Sequence, residues 1–231
     1  MEKLDHIPVK LNLGEIRRRL HLENRKEEWR HIQTLAKVAQ PLITARAFYK
    51  VSYIDAKNDD GIIIEGFRLT SRVLRKHLDN VGRVFPYVLT IGNKLEENAR
   101  ACSDLLEQYY LDTIGNAALT TALKYLENLL RSKYGFDSMS YMSPGSLSDW
   151  PIEEQRPLFR ILGDVEDSIG VRLNENLLMV PIKSVSGIYF PTKIPFYSCQ
   201  LCNKENCPTR KSSYDEKLAR YWREQKGLSS V

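Results

Sequence analysis

No apolar run in these 231 residues approaches the length of a membrane span, and the first residues, Met1-Glu-Lys-Leu-Asp-His6, contain no apolar signal core. A cytoplasmic location without membrane association is the expectation. Charge is not one-sided either. The 34 Lys and Arg residues against 29 Asp and Glu leave a formal +5, dispersed along the chain rather than gathered into the basic patch that nucleic-acid binding needs. Histidine is scarce, with four residues, all before residue 80, so the later part of the chain has no His to complete a metal site. Cysteine is equally scarce, with four residues, and a reducing compartment argues against structural disulfides. There is also no regular alternation of strand and helix, which argues against a doubly wound parallel sheet.

What is present is enough for a sizeable core: 42% of residues are hydrophobic and 27% charged. The order of periodic segments predicts an α+β fold, a twisted antiparallel sheet packed with helices. Helices are expected over 13–20 and from 23 or 24 to Ala39, where Trp29, Ile32, Leu35, Ala36 and Ala39 recur at helical spacing. Strands are expected over 45–53 and 62–67 around an Asn58-Asp-Asp-Gly61 turn, followed by a short helix to His77 capped by Thr70 or Ser71. A strand over 84–91 contains Pro86, which suggests an edge or a bulge. Asn93 and Glu96 have the spacing of a capping box. Leu95, Ala99, Cys102, Leu106 and Tyr109 form one helical stripe, which makes Cys102 a core residue. A break is expected at Gly115-Asn116, then a helix carrying Leu119, Ala122, Leu123, Leu126 and Leu130.

A strand over 136–142 delivers the corner Tyr141-Met-Ser-Pro144-Gly145-Ser146, with a helix over 151–162 capped by Ser148 or Asp149 and disturbed at Pro157. A second helix, 164–169, ends at Gly170. Strands are then expected over 177–182 and over Ser184-Val-Ser186-Gly187-Ile-Tyr189-Phe190. Alternation sets 184, 186 and 188 on one face of that strand and 185, 187 and 189 on the other, unless Gly187 introduces a bulge.

The corner and the Ser-Val-Ser-Gly-x-Tyr-Phe string, in this order, resemble the activation domain of cobalamin-dependent methionine synthase over about residues 112–191. That resemblance implies an accessory role in a methyltransferase system for methionine biosynthesis. S-adenosylmethionine would bind at Tyr141, Pro144, Gly145, Ser146, Ser184, Ser186, Gly187 and Tyr189, and cobalamin would reside on a partner, a methionine synthase or another corrinoid protein. The family commonly has an Arg four residues before the corner glycine and a Tyr after it; here those positions are Tyr141 and Ser146. The bidentate clamp of a guanidinium on a carboxylate is therefore missing from that strand.

The other three cysteines crowd into Cys199-x2-Cys202-x4-Cys207-Pro208. An iron–sulfur cluster is the expectation, zinc the alternative, and free or redox-sensing thiols a third reading. A zinc knuckle for nucleic acid would lack its fourth His ligand. The activation-like domain is expected over 1–197, its part up to residue 45 helical, with the cysteine-rich segment and a terminal helix over 198–231. The chain as a whole reads as a stand-alone reactivation subunit. The alternative is a non-catalytic iron–sulfur adaptor that passes electrons from a donor to a corrinoid protein.

Overall fold

The computed structural model describes residues 1–207 and 210–227. Elements follow in the order β1 (Glu2–Leu4), α1 (Leu13–Arg19), α2 (Lys26–Ala39), β2 (Arg46–Tyr49), β3 (Ser52–Lys57), β4 (Gly61–Ile64), β5 (Phe67–Thr70) and α3 (Arg72–His77). After these come β6 (Arg83–Thr90), α4 (Lys94–Ala101), α5 (Leu105–Tyr134), β7 (Met139–Met142), α6 (Gln155–Leu162) and α7 (Val165–Ile169). The chain ends with β8 (Arg172–Leu173), β9 (Met179–Val180), β10 (Ser184–Pro191) and α8 (Glu216–Gly227). Every strand pair with an assigned register is antiparallel, so the fold is α+β. Among the described residues no helix is long and apolar enough to cross a membrane.

Two compact units are each assembled from three stretches of chain: Met1–Lys50, Tyr87–Tyr134 and Leu162–Ser186 form the first, Val51–Pro86, Gly135–Ile161 and Gly187–Val231 the second. In the first unit β1 pairs with β2, and β2 with the Tyr87–Thr90 part of β6. Helices α1, α2 and α4 pack on α5. Buried Ile32, Ala36 and Ala39 recur at i, i+4 and i+7 along α2, while Ile114, Ala118, Ala122 and Leu126 recur every fourth residue along α5. Glu2 ties β1 to its neighbours: it accepts from Tyr49 Oη at 2.6 Å and Tyr134 Oη at 3.0 Å and pairs with Lys133.

In the second unit β3 pairs with β4 and β4 with β5, β3 also pairs with Arg83 and Val84, and β7 pairs with the 188–191 part of β10. Its core is Ile62, Ile64, Leu69, Leu74, Phe85 and Met142 with the side chains around Trp150.

Several local expectations are corrected. The strand expected over 45–53 is two strands, because the chain changes partner at Lys50-Val51. The break in the long helix lies at Cys102-Ser-Asp104: Asp104 Oδ1 accepts the Leu106 N–H at 2.8 Å and starts α5, leaving Cys102 in the connection, its Sγ donating to Glu107 Oε2 at 2.8 Å. Cys102 is thus not a core residue of a helical stripe, and Leu106 and Tyr109 are exposed. Gly115 and Asn116 instead lie inside α5. A Cβ at Gly115 would come 3.3 Å from Lys183 Cε, so glycine there leaves room for the lysine stem, whose Nζ reaches Asn116 Oδ1 at 2.8 Å and Asp112 Oδ1 at 2.6 Å.

No capping box forms at Asn93. Its amide donates to Glu97, and Glu96 accepts the Ile182 N–H at 3.0 Å. Pro86 is buried within β6, between the residues paired with β3 and those paired with β2. The helix expected over 151–162 is a 3-10 turn, Ile152–Glu154, followed by α6 from Gln155, so the missing donor of Pro157 falls in the first turn of α6.

Candidate functional site at a proline-glycine corner

Strand β7 runs into the corner through a turn that its residues dictate. Pro144 fixes φ at the second position, Gly145 takes φ of +80° at the third, and the Ser146 N–H closes the turn on Ser143 O at 3.1 Å. Ser146 Oγ donates to the same carbonyl at 2.6 Å, and the Gly145 N–H donates to Trp150 O at 2.8 Å. Trp150 is fully buried and anchors the returning chain. The open side of Gly145 faces Ile152, whose Cδ1 lies 2.9 Å from where a Cβ would stand.

Asp149 does not cap the helix that follows it. Its carboxylate accepts from Ser71 Oγ at 2.6 Å and from the Val73 N–H at 3.0 Å, and Ser71 Oγ itself accepts the Leu74 N–H at 3.0 Å. The start of α3 is therefore held by its own cap and by the corner together. Glu154 adds a bond to the Thr70 N–H at 2.8 Å, and burial raises its pKa above the ordinary carboxylate value, an effect that this N–H offsets in part. Ser71→Ala is expected to cost about 1–2 kcal/mol, seen as a lower denaturant midpoint; an unchanged midpoint would contradict the capping role.

Register places Tyr189 opposite Tyr141, with ring centroids 5.2 Å apart. Tyr189 is fully buried, while Tyr141 is half-buried and accepts from Lys211 Nζ at 2.7 Å. The lysine ammonium also lies 4.6 Å from the Tyr141 ring centre. The C-terminal segment thus brings a cation to a strand position that carries none of its own.

Of the string residues, Ser184, Ser186 and Gly187 are buried. Ser184 Oγ donates to Pro181 O at 2.7 Å and lies 2.9 Å from Thr90 Oγ1, so within the first unit it fastens the start of β10. In the second unit, Tyr141, Pro144, Gly145, Ser146 and Tyr189 gather around the β7–β10 pair and its corner.

A pocket of about 330 Å³ opens beside the corner, between Ser146 and Asp149 on one side and Cys202, Tyr214, Trp222 and Arg223 on the other. The corner is legible in the sequence and this opposite wall is not, since only tertiary packing returns α8 to residue 146. A larger cleft of about 1010 Å³ in the same unit contains no corner residue. It is bordered by His77, which stacks on Phe196 at 4.0 Å, and by the chain after β10.

Residues 127–212, which contain the corner, the string and the cysteine triplet, match the family model described as the vitamin B12 dependent methionine synthase, activation domain. This stretch is similar to methionine synthase activation-domain sequences. Among solved structures, the crystal structure of the MetH reactivation domain bound to AdoHcy is similar over 84% of this chain and 82% of that one, with a TM-score of 0.53. At 16% sequence identity the likeness is one of fold. A search among curated proteins finds no match.

The cysteine segment at the end of the matched stretch is organised by an arginine. Arg210 donates to the carbonyls of Cys199 at 3.1 Å, Cys202 at 3.2 Å and Ser212 at 3.3 Å, and also to Lys204 O. Among the described residues no group of three or more His, Cys, Asp or Glu side chains is gathered as a metal site. Pro208, part of the ferredoxin-like spacing, lies outside the described residues.

Proposed function

We propose that the chain is a stand-alone reactivation subunit for a cobalamin-dependent methionine synthase or a related corrinoid methyltransferase. In this reading it presents S-adenosylmethionine to an inactive corrinoid on the partner for reductive methylation, with the electron supplied by a separate donor. The observation that carries the reading is the pocket beside the Gly145 corner, within residues that match the activation-domain family. The ligand combines a sulfonium, an amino-acid zwitterion and an adenine. Against these the pocket lining includes the aromatic residues Tyr214 and Trp222, the acidic Asp149 and the basic Arg223. AdoHcy, which the similar reactivation domain binds, is the demethylated product of this donor.

In the chemistry so assigned, the chain's own residues bind and orient. Aromatic faces and a carboxylate hold the sulfonium, a guanidinium answers the ligand carboxylate, and the rigid Pro144-Gly145 turn fixes the position of the whole. An iron–sulfur adaptor would need the three thiols gathered round one centre, and the Arg210-centred loop does not support that arrangement.

Isothermal titration should show S-adenosylmethionine binding, with or without the partner. Ser146→Trp, at an exposed residue on the pocket rim, is expected to weaken it by at least about tenfold. Absence of binding in both settings would remove the donor role and leave the fold assignment intact.

A further inference from the structure

We propose that Cys199 and Cys202 form a redox-active dithiol, reversibly oxidised to a disulfide, and that this bond controls the hold of Lys211 on Tyr141. The pair lies on the 3-10 turn Ser198–Gln200 and its exit, where the Cys202 N–H closes on Cys199 O at 3.3 Å. Such an i to i+3 closure keeps the two Cα atoms within about 7 Å and brings their side chains toward one side, as a disulfide with a Cα separation of about 4.4–6.8 Å requires. Cys207 lies five residues beyond Cys202, past this closure.

Arg210 keeps the loop folded around this turn through carbonyls of both cysteines, so the geometry needs no metal to hold it. Cys199 Sγ accepts the Lys211 backbone N–H at 3.4 Å. Cys199 is therefore assigned as the attacking thiol, since an N–H already faces the sulfur that must carry the negative charge.

The oxidant is a small-molecule disulfide such as oxidised glutathione. The Cys199 thiolate attacks one of its sulfurs and expels a glutathione thiolate. The Cys202 thiolate then attacks Cys199 Sγ in the mixed disulfide and expels the second. Two protein thiols lose two electrons, the oxidant gains them as two thiols, and the cysteine protons pass to those leaving thiolates.

Lys211 is the coupling residue because it makes two contacts at once. Its N–H meets Cys199 Sγ, and its ammonium meets Tyr141 Oη. Rotating Cys199 Sγ toward Cys202 takes the acceptor from the N–H and so loosens the residue that covers Tyr141. Cys202 also borders the pocket at Ser146, so the same bond reshapes its wall. Only this last consequence for donor binding rests on the function proposed above.

The full chain should be equilibrated in glutathione buffers of increasing oxidised share, acid-quenched, alkylated and mapped by peptide mass. One disulfide between Cys199 and Cys202 is expected, reversed by dithiothreitol, with Cys102 and Cys207 alkylated throughout. Hydrogen exchange at the Lys211 amide should quicken at least about tenfold in the oxidised form, and Cys202→Ser should abolish both the disulfide and the change in exchange. Four alkylated thiols in every buffer, pairing through Cys207, or a stoichiometric metal shielding the three thiols would each overturn the dithiol. A 199–202 disulfide with unchanged exchange at Lys211 would overturn the coupling. No readout uses S-adenosylmethionine, so failure here and failure of donor binding are separate results.

Discussion

Trp150→Ala is expected to lower the unfolding free energy of the second unit by about 3–5 kcal/mol, the cost of emptying a fully buried indole site that its surroundings cannot refill. The indole has no exposed surface, and its own backbone carbonyl accepts the Gly145 N–H at 2.8 Å. Losing the side chain therefore removes apolar burial and also the anchor that holds the corner's return. Trp150→Phe, which keeps an aromatic ring in the site, should lose less than half as much. Urea unfolding followed by far-UV circular dichroism would give the values. A loss below about 1 kcal/mol for the alanine variant would mean that the pocket collapses freely, contrary to the close packing expected of a core. Donor binding should fall with stability, because the Pro144-Gly145 turn loses the anchor of the chain that returns to it.

Acid should destabilise the same unit through one histidine. Burial between Phe196 and Phe190 pushes the His77 pKa down from an ordinary 6.5 to about 4. The folded state thus keeps the imidazole neutral where the unfolded chain binds a proton. The stability tied to the neutral ring is fully present above pH 6.5 and is lost as the pH falls from there through about 4. The total is about 3 kcal/mol by the free energy of a pKa shift of this size. His77→Phe keeps a flat ring against Phe196 and removes the titration. Denaturant melts from pH 7.5 to 4 should give a steeper loss for the parent than for this variant. Parallel curves would show that His77 is solvated in the folded protein. Asp79, whose carboxyl Lys76 and Arg75 hold below its usual range, is common to both proteins and cancels in the comparison.

The corner and the string were legible in the sequence because their chemistry is local. A Pro-Gly pair dictates its own turn through fixed and positive φ, and the adjacent hydroxyls of Thr70 and Ser71 marked the start of α3, of which Ser71 is the cap. The α+β class followed from the order of periodic segments. Other local signals misled where a distant residue outcompeted them. Gly115-Asn116 reads as a break until Lys183 crosses over it, and Asn93 with Glu96 reads as a box until Ile182 takes the Glu96 carboxylate. Asp149 stands at a plausible cap position, yet Ser71 and Val73 claim it from nearly eighty residues away in sequence.

Where the resemblance implies a guanidinium, the sequence has Tyr141. Only the folded chain shows that an ammonium reaches the same strand from Lys211, seventy residues on. The cysteine triplet divides in the same way. Spacing alone put three thiols near one another, a property of chain length. Whether they converge depends on side-chain direction and on what else fills the loop, and there Arg210 occupies the carbonyl-lined centre. Local backbone chemistry fixed the turns and element types. The opposite wall of the pocket and the partners of each charged group waited on contacts whose sequence separation no periodicity encodes.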